Sequence, residues 1–204
     1  MTHTILQVDS SILGDNSVSR DLVQKLTDAL AEQNGARVIK RDVATNPLPH
    51  LDGEILGKIG NGEAKLADTI IEEAQQADTI VIGAPMYNFF MPTQLKTWFD
   101  YLARAKVTFE YTADGPRGLL TDKKGYVVTT RGGQHKDSAT DVLTPYLKIM
   151  LGFVGLNDVE FIYAEGLNMS GSIRDDQIEA AQSHIRSIEN HHKNNTARLE
   201  EEIA

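Results

Sequence analysis

The chain has 204 residues, 24% of them charged, a formal net charge of -9 and no cysteine. That length suits one α/β domain (residues 1–204) able to bury most of its surface without a covalent staple. The absence of cysteine excludes disulfides, thiolate nucleophiles and thiolate metal sites and is compatible with a reducing cytoplasm, while the negative balance argues against nucleic acid and anionic membrane surfaces.

In chain order, the opening "HTILQVD" has no basic region and no long apolar run, so neither a signal peptide nor a membrane span is expected. "TILQV" (4–8) reads as a first strand. Residues 19–33 carry Leu22, Val23, Leu26, Ala29 and Leu30 at helical spacing, and Asn34-Gly35 stops the helix. "ARVIKRDV" (36–43) is a second strand, and "NPLPH" (46–50) a proline-broken loop. Residues 63–77 place Leu66, Ile70, Ile71 and Ala74 on one helical face, and "DTIVIGA" (78–84) is apolar enough for a strand covered on both sides. A helix over 93–103, a strand over 124–130, a helix over 141–151, a strand over 158–165 and a helix from Asp175 to about Leu199 complete five β/α units. Such alternation predicts a five-stranded parallel sheet with right-handed crossovers and helices on both faces. One segment breaks the rhythm. "KVTFEYTADGPRGLLTD" (106–122) is long for a connection in such a fold and carries Phe109 and Tyr111.

Ligands of open parallel sheets sit at the carboxyl ends of the strands, so three loops matter. After strand one, "DSSILGDNSVSRDL" offers Ser10, Ser11, Asn16, Ser17 and Ser19 before a helix, with Arg20 beside them. Hydroxyls and a helix start make an anion site; a single serine there would be only a cap. The loop is neither GxxxxGK[ST] nor GxGxxG, which speaks against P-loop hydrolysis and a dinucleotide fingerprint. After strand three, "PMYNFFMP" sets Met86, Tyr87, Asn88, Phe89, Phe90 and Met91 between two prolines, a shelf suited to a planar ring or to packing. After strand four, "TTRGGQH" combines Thr130 and Arg131 with Gly132 and Gly133, whose backbone can approach a ligand closely. His135, in the same loop, reads either as a proton donor or as an ordinary hydrogen-bonding residue. His50, His184, His191 and His192 form no credible metal set, and Glu200–Glu202 reads as a solvated run.

The segments "SSILGDNSVSRDL", "APMYNFFMPTQLKTWFDYLARAKVTFEYTADGPRGL" and "TTRGGQHKDSATDVLTPYLKIMLGFVGLNDVEFIYAEG" resemble the bacterial FMN-dependent NADH azoreductase and quinone reductase family over nearly the whole chain. The resemblance implies a flavodoxin-like fold with strand order 2-1-3-4-5. It implies that Ser11, Ser17, Val18 and Ser19 hold the FMN phosphate and that Met86, Tyr87, Asn88 and Phe89 border the ring system. Thr130, Arg131, Gly132 and Gly133 then approach its other edge, with Arg131 as a possible charge partner. Asn88, Tyr111 and Phe153 line the substrate side. The family transfers hydride from NADH or NADPH through FMN to quinones and azo compounds by a ping-pong route, as a homodimer. The segment after Gly166, "LNMSGSIRDDQ", follows no pattern of the family. A flavodoxin-type electron carrier shares the fold, but needs no aromatic insertion such as 106–122.

Overall fold

The computed structural model describes residues 2–203, with side chains described up to Lys193 except those of Asn34 and His192. The Glu200–Glu202 run and His192 therefore lie outside the described side chains. Five strands, β1 (Thr4–Asp9), β2 (Arg37–Asp42), β3 (Thr79–Gly83), β6 (Lys124–Thr130) and β7 (Asp158–Ala164), form a sheet in the order β2-β1-β3-β6-β7. All four pairings are parallel. Counting only these strands, the order is the expected 2-1-3-4-5. The extra pair, β4 (Phe109–Thr112) and β5 (Gly115–Gly118), is an antiparallel hairpin inside the 106–122 segment.

The pleat of the strands divides the core in two. From β1, Ile5 joins Leu22, Val23 and Leu26 of α1 (Val18–Asn34) and Ile185 and Ile188 of α6 (Ile173–Ile203). Leu6 and Val8 point the other way, into a cluster with Ile70 of α3 (Lys65–Gln76), Leu95, Trp98 and Phe99 of α4 (Thr93–Leu102) and Leu147 and Leu151 of α5 (Leu143–Val154). The central strands β1 and β3 are buried along their whole length, whereas β2 and β7 form half-exposed edges. That is why the third strand run is nearly all apolar, while the first also buries Gln7 and Asp9.

A short helix α2 (Gly53–Gly60) stands where no helix is expected. Its sequence, GEILGKIG, carries three glycines, of which Gly57 in the interior costs about 1 kcal/mol against alanine. Asp52 overcomes part of this by capping, its carboxylate accepting from Ile55 N at 2.8 Å, and Ile55 and Ile59 pack on the core. The hairpin is anchored at its exit: Leu120 N donates to Val154 O at 2.8 Å. A Cβ on Gly118 would stand 2.0 Å from the backbone nitrogen of Gly155, so only glycine lets β5 lie against the end of α5.

Candidate cofactor cleft

The sheet changes winding direction between β1 and β3, and at their carboxyl ends lies a cleft of about 160 Å³. Ser11, Ser17, Val18, Met86, Tyr87, Thr130, Arg131 and Gly132, all nominated by sequence, line it. Leu167, Asn168 and Arg174 line it too and were not nominated.

The first wall is the turn before α1. Ser17 caps the helix: its hydroxyl accepts from Arg20 N at 3.2 Å. Ser19 is buried, and its hydroxyl, with no partner among the described residues, lies against Gly83 instead of lining the cleft. The Ser17 hydroxyl is thus taken up by the cap and the Ser19 hydroxyl is turned to Gly83, but the backbone N–H groups of Val18 and Ser19 carry no partner among the described residues. Two free donors at the positive end of a 17-residue helix form an anion seat. Arg20 is not part of that seat. Its guanidinium is forked onto Asp42 at 2.7 and 2.9 Å and also holds the Ser11 carbonyl at 3.0 Å. Burial works to raise the Asp42 carboxyl, but Arg20 and the Thr45 N–H outweigh it and hold it at about 2. Arg20 therefore shapes the loop.

The second wall follows β3. Tyr87 and Phe90 exchange backbone hydrogen bonds of 2.8 and 3.1 Å around Asn88 and Phe89, at φ +50° and +68°. Two consecutive left-handed residues define a tight hairpin turn of the type that favours Asn-Gly. A phenylalanine in the second position is strained, and it sits at the exposed tip, 54% accessible. The Tyr87 hydroxyl reaches back to the first wall, 3.1 Å from Ser11 Oγ and 3.3 Å from Ile12 N. Asn88 and Phe89 form the rim and not the lining, and the Phe89 ring meets the edge of His135 at 5.7 Å.

The third wall is the loop after β6. The N–H groups of Gly132 and Gly133 have no partner among the described residues. A Cβ on Gly132 would come within 2.6 Å of Asn168 Nδ2, and one on Gly133 within 2.8 Å of His135 Nε2, so bare backbone faces these neighbours. Arg131 corrects an expectation: it is not a charge offered to a ligand. Its guanidinium is wholly buried, pairing with Glu165 at 3.2 Å, Asp141 at 3.0 Å and Thr144 at 2.7 Å. Burial acts to raise Asp141, but the hydrogen bond from Arg131 and those from Thr144 outweigh it and leave the carboxyl below its ordinary range. Glu165 Oε1 also accepts from His135 N and Lys136 N, each at 2.8 Å, so the ion cluster fixes the loop from behind. His135 itself is held by Thr140 at 2.8 Å.

The fourth wall is the segment after β7. Leu167 N, Asn168 N and Gly166 N donate to the carbonyls of Arg131, Gly132 and Gly133 at 2.9–3.0 Å, which stitches "LNMSGSIRDDQ" to the third wall. Its position at a strand's carboxyl end was the one signal in the sequence that could have nominated it.

Tyr111 and Phe153 lie elsewhere. They flank Phe109, with ring centroids at 5.5 and 4.2 Å, near the end of α5 remote from the cleft. Among the described residues no group of histidine, aspartate or glutamate side chains could hold a metal ion, and no helix is long and apolar enough to cross a membrane.

A flavodoxin-like fold family model matches residues 3–188. The chain is 53% identical over 177 residues to an FMN-dependent NADH:quinone oxidoreductase of Saccharophagus degradans, covering 82% of this chain and 85% of that protein. It is 50% identical over 193 residues to FMN-dependent NADH:quinone oxidoreductase 1 of Photobacterium profundum, covering 90% and 98%. Among solved structures, an azoreductase from Bacillus anthracis superposes with a TM-score of 0.83 at 28% identity, covering 94% of this chain and 100% of that one. With the switch-point cleft, these likenesses settle its kinship: the chain belongs to the flavodoxin-like family of FMN-dependent NADH:quinone oxidoreductases.

Proposed function

We propose that this protein is a cytoplasmic, homodimeric FMN-dependent oxidoreductase that takes electrons from NADH, or NADPH, and reduces quinones and aromatic azo compounds. The observation that carries the reading is the cleft, with free helix N–H groups at one end and a left-handed turn tipped by an aromatic ring at the other. When bound, FMN accepts hydride from the nicotinamide and delivers two electrons to the acceptor. Val18 and Ser19 N–H groups would seat its phosphate, with Ser11 beside them. Its ring system would rest on the shelf of Met86, Tyr87, Asn88 and Phe89. The Gly132 and Gly133 N–H groups, held by the Glu165 cluster, are donors available to a ring that gains negative charge. Phe89 shields that edge from water. Solvent reaches the exposed rim of the cleft, so we assign proton delivery to it.

Tyr111 is 76% and Ile149 72% exposed, large apolar side chains that call for a cover. A second copy supplies that cover. It also gives Tyr111 and Phe153, remote from their own cleft, a route to the substrate side of the partner's.

The test is direct. Heating the pure protein should release yellow FMN, and NADH should be oxidised rapidly with menadione. Colourless protein that also refuses added FMN would defeat the proposal; a flavoprotein inert to nicotinamides would be an electron carrier instead.

A further inference from the structure

We propose that Arg174 recognises the phosphate of FMN, an assignment that rests on the cofactor reading above. A phosphate dianion needs more than a helix terminus worth about half a charge. Both arginines that the sequence sets near the cleft are committed elsewhere: Arg20 to Asp42, and Arg131 to Asp141 and Glu165. Arg174 lines the same cleft as Ser17 and Val18, is exposed, and belongs to the first turn of α6. Its single hydrogen bond among the described residues runs from Nη1 to Leu167 O at 3.1 Å, which leaves the other donors of the guanidinium fork available. That carbonyl belongs to the stretch stitched to the Arg131–Gly133 loop, so the arginine is aimed by the cleft's own wall. Of the two neighbouring carboxylates, Asp176 is engaged by the Ser172 hydroxyl at 2.7 Å. The start of helix α1 and Arg174 thus both face the cleft that would hold the anion.

Riboflavin, which lacks the phosphate, separates this role from a structural one. Apo-protein is titrated with FMN and with riboflavin, following quenching of flavin fluorescence, for the wild type, Arg174→Gln and Arg174→Lys. Arg174→Gln should weaken FMN about tenfold, the scale of one charge-assisted hydrogen bond, and leave riboflavin within about twofold. Arg174→Lys should recover part of the loss, since lysine offers a point charge without the fork. Added salt should weaken FMN more for the wild type than for Arg174→Gln. Equal weakening of both flavins would make Arg174 a scaffold for Leu167 and overturn the assignment. So would unchanged FMN affinity, including the case where only the KM for NADPH rises. Wild-type protein that binds FMN no better than riboflavin defeats this assignment alone; wild-type protein that binds neither defeats the cofactor reading with it.

Discussion

Asp9 is 7% exposed, and burial raises its carboxyl above the ordinary range against the pull of the Gln7 amide and of Arg20. One of its oxygens has no partner among the described residues. A carboxyl whose folded pKa exceeds its unfolded one stabilises the fold only while it keeps its proton, and that contribution drains away as pH rises through the folded value. Asp9→Asn should therefore raise the urea midpoint at pH 8 and give a smaller gain, or none, at pH 4. A gain that does not depend on pH would contradict the raised carboxyl. Glu165 plays a structural part instead. It closes an ion pair with Arg131 and accepts two loop amides at once, so Glu165→Met takes the acceptor from one buried and two half-buried donors. Breaking one side of such a cluster costs about 3 kcal/mol, to be read from chemical denaturation. These partners stand 30 and 34 residues from Glu165 along the chain, which is why Arg131 looked like a free charge in sequence and proved to be a buried one.

Among the elements, the turn at Asn88 and Phe89 sets local strain against service to the site. The backbone there asks for glycine at the second position, and Phe89→Gly supplies the preferred Asn-Gly pair. Thermal unfolding should show a gain of about 1 kcal/mol, while FMN affinity and quinone turnover fall because the shielding ring is gone. Loss of both stability and turnover would mean that the ring packs more than it serves. The same turn marks a limit of legibility. Proline and aromatic spacing located the shelf in the sequence, but the left-handed φ values follow from the hydrogen-bonded closure between Tyr87 and Phe90, which no composition signals. Helix α2 escaped notice for a related reason, since its glycines argue against a helix that the Asp52 cap and the core contacts of Ile55 and Ile59 nevertheless hold.

Across the whole molecule, sheet order and layering were readable because β3 is apolar but for Thr79, β1 sends Ile5, Leu6 and Val8 into the core, and the helices keep their spacing. Three of the cleft's four walls were readable as well, from loops at strand ends. The fourth was not, because "LNMSGSIRDDQ" carries no motif and acquires its place only by hydrogen bonds to the Arg131–Gly133 carbonyls. Assembly is tested at this scale too. Ile149→Asp puts a charge at one of the exposed apolar positions, and should yield a monomer by sedimentation with quinone turnover lost in parallel. A monomeric wild type with full turnover would remove the need for a partner's aromatic residues.

Trp98 is the chain's single tryptophan, wholly buried in α4, the helix that leads directly away from the Met86–Met91 shelf. A blue-absorbing guest on that shelf overlaps the emission of an indole and should drain it by energy transfer. Apo- and holoprotein then differ in intrinsic brightness, so occupancy can be followed in real time in the pure protein and in every variant above, with no label attached.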